Sequence, residues 1–217
     1  ACYRQALELL ADDDPEERFS TEHNLALAEA VSGEIQAAEK RLVRIRDLAN
    51  KQKLWTIYTK AWLALGDLAW TDKRHNLALQ RYAHTVRHST LHGLDHWRLQ
   101  AELNRAHLLL GQDRPAEVVT YLSPLLAMFC KSPYCVELYL ALANAFSYCQ
   151  QMDAALVTLR QALACDGLND AERAEVLAAL AHAVFASGDR AGAWEQMTQA
   201  MSMSCSPEQR ADILVDA

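Results

Sequence analysis

Glycine and proline are scarce in this sequence. Seven Gly and five Pro occur among 217 residues, and most of them fall between stretches with helical periodicity. Disordered and all-β chains contain many more turn-forming residues, so the scarcity argues against both classes. The hydrophobic content of 51% suits a stacked helical core.

The sequence also has few positively charged residues and no long apolar run. The 21 Lys and Arg residues are outnumbered by 28 Asp and Glu, for a net charge of −7, which disfavours direct contact with nucleic acid. The longest uncharged apolar run, residues 138–152, is too short to cross a bilayer. No secretory leader or glycosylation motif is present, so we expect a cytoplasmic protein. The six scattered cysteines predict reduced thiols rather than a disulfide framework.

Local signatures of catalysis are missing. The sequence contains no phosphate-binding loop, dinucleotide fingerprint, zinc-protease motif or nucleophile elbow. We therefore predict that the chain is not an enzyme and needs no cofactor, although the residue types alone leave a Cys–His pair open. His84, His88 and His92 follow one another at helical spacing, which fits either an exposed polar stripe or a metal site. We predict no metal site because no obvious Cys or carboxylate completes the set.

What the sequence does contain is a repeat. A small residue, here called the anchor, recurs with spacings of 40, 38, 39 and 38 at Ala38, Ala78, Ala116, Ala155 and Ala193. A leucine stands thirteen residues before each anchor, at Leu25, Leu65, Leu103, Leu142 and Leu180. Two helices approach closely only where side chains are small. The pattern thus predicts five antiparallel helix pairs that bury their apolar faces by stacking.

Smaller features agree with this repeat. Five residues before the anchors, the turns are predicted at Gly33, Lys73, Gly111, Gln150 and Gly188. Large residues follow four after the anchors, except at Thr120. Asp113 is predicted to cap a helix that contains Pro115 in its first turn. Asn169 and Glu172 have the spacing of a capping box.

Trp62, Leu65, Gly66, Ala78 and Tyr82 reproduce the W-x2-L-G and A-x3-F/Y signature of tetratricopeptide repeats. The chain resembles that family, which implies an all-α, right-handed superhelical solenoid of antiparallel helix pairs. We expect one domain over residues 1–217 with about five and a half repeats. The ends fall inside predicted helices, so we expect a piece of a longer protein. The period of about 39 residues exceeds the usual ~34 and resembles the repeat region of MalT-like regulators.

The resemblance also implies a binding face, because the first helix of each pair lines the concave surface of a tetratricopeptide array. Inward positions fall 18, 15, 11 and 8 residues before each anchor. The candidate binding residues among them are Lys60, Asp67, Trp70, Arg98, Arg105, Asn144 and His182. Lys60, Arg98, Arg105 and Asn144 are interpreted as donors to an acidic peptide or an anionic small molecule, with Trp70 as an aromatic platform. Alternatively, these groups are ordinary solvated residues of a curved surface.

These observations predict a non-catalytic repeat domain that binds a protein, a peptide or a small-molecule inducer. The MalT-like resemblance implies the sensor or docking region of a bacterial signalling or transcriptional regulator. The alternative is a scaffold, adaptor or co-chaperone-type domain that binds a peptide of a partner protein. The repeat pattern does not decide between them.

Overall fold

The computed structural model describes residues 15–129 and 134–203. All regular elements within these ranges are α-helices. They are α1 Pro15–Val31, α2 Ile35–Gln52, α3 Trp55–Thr71, α4 His75–His92, α5 Asp95–Leu110, α6 Pro115–Phe129, α7 Cys135–Tyr148, α8 Met152–Leu163, α9 Asp170–Ala186 and α10 Arg190–Met203. The predicted all-α class is confirmed, whereas the predicted partial repeats at the two ends lie outside the described residues.

The described helices follow one another along the chain in the predicted order. Contacts divide the chain into two compact units, residues 1–108 and 109–217; the single domain that we expected stays a prediction. Within the first unit α1 packs on α2, α2 on α3 and α3 on α4, and the first helices α1 and α3 also touch. Within the second unit each helix from α6 to α10 packs on the next, and α7 also touches α9.

The anchors show why these helices pair. Ala38, Ala78, Ala155 and Ala193 are buried, and a large buried side chain follows four residues after each of them, at Leu42, Tyr82, Leu159 and Met197. Side chains four apart lie on one helical face, so each second helix presents a small residue next to a large one. The predicted crossing positions are confirmed in these four repeats.

The predicted anchor of the third repeat lies two residues before the position that the structure shows. Ala116 is exposed, whereas Val118 and Leu122 are fully buried. Each second helix starts three residues before its buried anchor, and α6 starts at Pro115, which identifies Val118 as the third anchor. The spacings become 40, 40, 37 and 38. Thr120 is exposed, and the predicted polar exception disappears because Leu122 takes its place.

The turns between paired helices repeat with the corrected spacing. The residue five before each anchor is left-handed, and these residues are Gly33, Lys73, Asp113, Gln150 and Gly188. The next backbone N–H donates to a carbonyl five residues earlier, as in the bonds Glu34 to Glu29 and Arg114 to Leu109. Asp113 is therefore a turn residue rather than the predicted helix cap, and Gly111 does not hold this turn position. Three of the five residues are not glycine, which hides the turn in the sequence.

Two other local predictions, Pro115 in the first turn of its helix and the capping box of Asn169 and Glu172, are confirmed. Pro115 is the first residue of α6. The Asn169 side chain accepts from the Glu172 backbone N–H at 2.9 Å, and the Glu172 carboxylate accepts from the Asn169 backbone N–H at 2.9 Å. Cys135, Cys149 and Cys165 are free thiols. Across the described ranges, no helix is long and apolar enough to span a membrane.

Candidate binding surface

Three predicted binding residues lie on α3 in the first unit. Lys60 is half-buried, and its ammonium group lies 5.0 Å from the centre of the Trp97 ring of α5. That distance allows a cation–π interaction. Burial and the Lys60 charge both lower the pKa of His23 on α1. Lys60 thus lies between first helices α1 and α5. The Trp97 ring already interacts with its ammonium group.

Asp67 has an internal role that the sequence did not reveal. Its Oδ1 atom accepts hydrogen bonds from the Tyr82 hydroxyl at 2.7 Å and from Asn104 Nδ2 at 2.7 Å. Burial raises the pKa of Asp67, although both hydrogen bonds oppose the shift. The carboxylate therefore joins α3, α4 and α5. This arrangement argues for a structural role rather than the predicted contact with a partner.

Arg98 and Arg105 of α5 have contacts inside the first unit, and their role in binding stays a prediction. Both residues are half-buried. Two neighbours predicted to face inward, Ala101 and Leu108, are 0% and 2% exposed. Arg105 pairs with the buried Glu102 at 3.5 Å. Burial raises the pKa of that carboxyl, and the charges of Arg105 and Arg98 oppose the rise.

The remaining predicted residues, Asn144 and His182, lie in the second unit eleven residues before their anchors. Asn144 of α7 is exposed and His182 of α9 is half-buried. Among the described residues, the buried His182 Nε2 atom has no hydrogen-bond partner. Since α7 and α9 touch, this position of the repeat places Asn144 and His182 on adjacent first helices.

Apolar side chains are exposed where the first helices end. Val31 and Tyr148 stand seven residues before their anchors, and Trp70 and Phe185 stand eight before theirs. Their exposed fractions are 91%, 62%, 36% and 58% in that order. We call these four residues the apolar edge, with two members in each unit. Single exposed hydrophobic residues are ordinary, but these recur at nearly one position of the repeat.

The three histidines of α4 are half-buried against aromatic rings of α3 and do not form an exposed stripe. The His92 ring stacks on Trp55 at 4.5 Å, and the His84 ring lies 4.1 Å from Trp62. Between them, His88 lies 4.5 Å from Tyr58. We call these six residues the aromatic ladder, which joins α3 to α4. Among the described residues, no group of three His, Cys, Asp or Glu side chains could hold a metal ion.

Hydrogen bonds hold the ladder together. One joins the Tyr58 hydroxyl to His84 Nε2 at 3.1 Å, and another joins Thr59 Oγ1 to His88 Nδ1 at 3.0 Å. Burial lowers the pKa of His88 to about 4, with further contributions from His92 and His84. Burial also lowers the pKa of His84. The ladder therefore favours the neutral form of His84 and His88.

Glu39 of α2 binds two arginines of the next helix pair. Its carboxylate accepts from Arg74 at 2.9 Å and from Arg81 at short range, and Arg81 also donates to the Leu65 carbonyl at 2.6 Å. Replacing Glu39 by Gln should lower the free energy of unfolding in urea by about 1–2 kcal/mol, because Arg81 would keep its burial and lose its counter-charge. Asp47→Asn, at an exposed ion pair with Arg46, should change it by less than about 0.5 kcal/mol. Equal effects would contradict this role of Glu39.

Comparison with known proteins agrees with the repeat architecture. BtubC (BKLC) from P. vanneervenii is 20% identical with a TM-score of 0.71, covering 86% of this chain and 78% of that one. TTC0263, a thermophilic TPR protein of Thermus thermophilus, is 17% identical with a TM-score of 0.59, covering 91% and 98%. YrrB, a TPR protein with an unusual peptide-binding site, is 12% identical with a TM-score of 0.54, covering 99% and 98%. No family model matches the chain, and no curated protein matches it.

These likenesses show a tetratricopeptide-like fold. They give no support to the finer resemblance to MalT-like regulators.

Proposed function

We propose that this chain is a non-catalytic scaffold that binds a segment of a partner protein along the exposed face of its first helices. The observation that carries the proposal is the apolar edge. Aromatic side chains such as Trp70, Tyr148 and Phe185 supply much of the binding energy at protein interfaces. Their recurrence at nearly one repeat position gives a partner two anchoring points in each unit. YrrB, a protein of similar fold, is described as having an unusual peptide-binding site, which supports peptide binding by a fold of this kind.

The regulator hypothesis is a finer proposal. It holds that the chain is the sensor region of a MalT-like cytoplasmic protein and binds a small-molecule inducer. Its support is the long repeat period. The corrected spacings of 40, 40, 37 and 38 keep that period long. The inducer proposal has less support, however, because Arg105 already pairs with Glu102 inside the fold. The scaffold proposal depends only on exposed groups and is therefore favoured.

The test is a selection of peptides from a random displayed library on the full 217-residue chain, followed by affinity measurements on the selected peptides. Trp70→Ser or Phe185→Ser should weaken the binding of at least one selected peptide about tenfold or more, which corresponds to roughly 1.4 kcal/mol. The matched control is Trp194→Ser, which changes an aromatic residue of the second helix α10 that is 70% exposed. Failure to select any peptide, or equal loss with the control, would overturn the scaffold proposal.

A further inference from the structure

The first helices of the second unit carry paired carboxylates at the end opposite the apolar edge. Glu137 of α7 and Glu175 of α9 both stand eighteen residues before their anchors and are exposed. The helices that carry them touch. Partial burial raises the pKa of Glu175, and the charges of Glu137 and then Glu172 add to the rise. The negative charge of Glu137 thus acts on Glu175 from the same repeat position of a touching helix.

No cation inside the described ranges offsets this repulsion. Neither Glu137 nor Glu175 forms an ion pair or a hydrogen bond there, while Glu172 is engaged in its capping box. Acidic groups are favourable in the first turn of a helix, which accounts for Glu137. Glu175 is the sixth residue of α9, beyond the first turn, so the helix dipole does not account for it.

The fold itself does not require an acidic residue eighteen positions before the anchor. In the first unit the equivalent residues are Ser20, Lys60 and Gln100. The carboxylate pair is therefore particular to the second unit. Its surface offers negative charge where the helices begin and aromatic rings where they end.

We propose that the second unit binds a cationic segment of a partner protein, with a Lys or Arg side chain placed between Glu137 and Glu175 and an apolar side chain placed against Tyr148 and Phe185. This inference rests on the proposed scaffold function and names the chemistry of its partner. Charge complementarity carries it, since a cation would relieve the repulsion between the two carboxylates. The cationic segment is an alternative to the acidic peptide suggested by Arg98 and Arg105, which stays a prediction.

Helix geometry sets the spacing that the partner needs. Glu175 and Phe185 are ten residues apart on α9, which corresponds to roughly 15 Å along the helix axis. An extended peptide covers this distance with about four or five residues. The segment should therefore carry its basic residue and its apolar residue about that far apart.

The experiment selects a random 12-residue displayed library, in parallel, on the full chain and on the double variant Glu137→Gln/Glu175→Gln. Peptides from the unsubstituted chain should be enriched in Lys or Arg about four or five residues from an aromatic or large aliphatic residue. Synthetic copies should bind the double variant about tenfold or more weakly. Their affinity for the unsubstituted chain should also fall as salt rises, because opposite charges at the surface are screened.

Glu195→Gln is the matched control, since it removes an exposed carboxylate from the second helix α10 of the same unit. This control should leave the affinity unchanged. Acidic or uncharged selected peptides, or equal affinity for the double variant, would overturn the cationic partner while the scaffold function stands. Selection of no peptide at all on the unsubstituted chain would overturn both. Helical circular dichroism of each variant verifies that a lost affinity does not reflect unfolding.

Discussion

Replacing Gly66 by alanine should lower the free energy of unfolding by about 2–3 kcal/mol. A Cβ atom at Gly66 would lie 2.5 Å from Cε1 and 2.7 Å from Cδ1 of Tyr82. The Tyr82 ring is 0% exposed and its hydroxyl is bonded to Asp67, so it cannot swing aside. Urea unfolding of the single variant measures the loss.

The other repeats provide the control for this effect. Where a Leu or Met takes the place of Tyr82, an alanine takes the place of Gly66, as in the pairs Ala26 with Leu42, Ala143 with Leu159 and Ala181 with Met197. Each of these pairs lies within one hydrophobic cluster. The double variant Gly66→Ala/Tyr82→Leu should therefore lose less stability than the two single variants lose together. The difference in free energy of unfolding should be at least about 1 kcal/mol. Simple additivity would show that the Tyr82 ring is not what excludes alanine.

Acid should destabilise the first unit through the aromatic ladder. The pKa of His88 is lowered to about 4 in the folded protein, against about 6.5 in an unfolded chain. The unfolded state therefore binds more protons between these values, and the free energy of unfolding decreases as the pH falls through that window. The stabilisation is complete above about pH 6.5 and lost by about pH 4. After allowance for solvent at this half-buried site, we expect a loss of about 1–2 kcal/mol.

The measurement is the urea midpoint at pH 7 and pH 4.5, for the unsubstituted chain and for His88→Phe. Phenylalanine keeps an aromatic ring beside Tyr58 and cannot be protonated, so the midpoint should fall less on acidification. Comparison between variants is needed because burial raises the pKa of Asp67 and Glu102, and these carboxyls favour the folded state in acid. His75→Gln, on the same helix outside the ladder, should keep the full dependence. An unchanged pH response in His88→Phe would exclude the ladder as its source.

The sequence predicted the repeat because its signal is local and recurs. Small anchors, large residues four later and leucines thirteen before were enough to place four of five helix pairs. The predicted register of the third pair was wrong by two residues. Ala116 is a small residue at nearly the expected spacing, whereas the buried anchor is Val118. The sequence did not reveal the turn at Asp113, because the left-handed residue there is an aspartate rather than a glycine.

The candidate site was harder to predict for a different physical reason. Helical periodicity shows which face a side chain occupies, but it does not show which polar group from another helix will meet it. Asp67 and Asn104 are 37 residues apart in the chain, and Tyr58 and His84 are 26 apart. An imidazole at helical spacing therefore looked like a polar stripe until the aromatic rings of α3 were found beside it.

The sequence by itself determined that this protein is a helical repeat, because apolar residues at helical spacing must be buried and small residues allow helices to cross. Only the tertiary structure decided which charges have partners inside the fold. Asp67, Arg105 and Glu39 bind neighbouring residues, whereas Glu137 and Glu175 lie at one repeat position on two touching first helices. That distinction depends on distances between helices, which the order of residues along one helix does not contain.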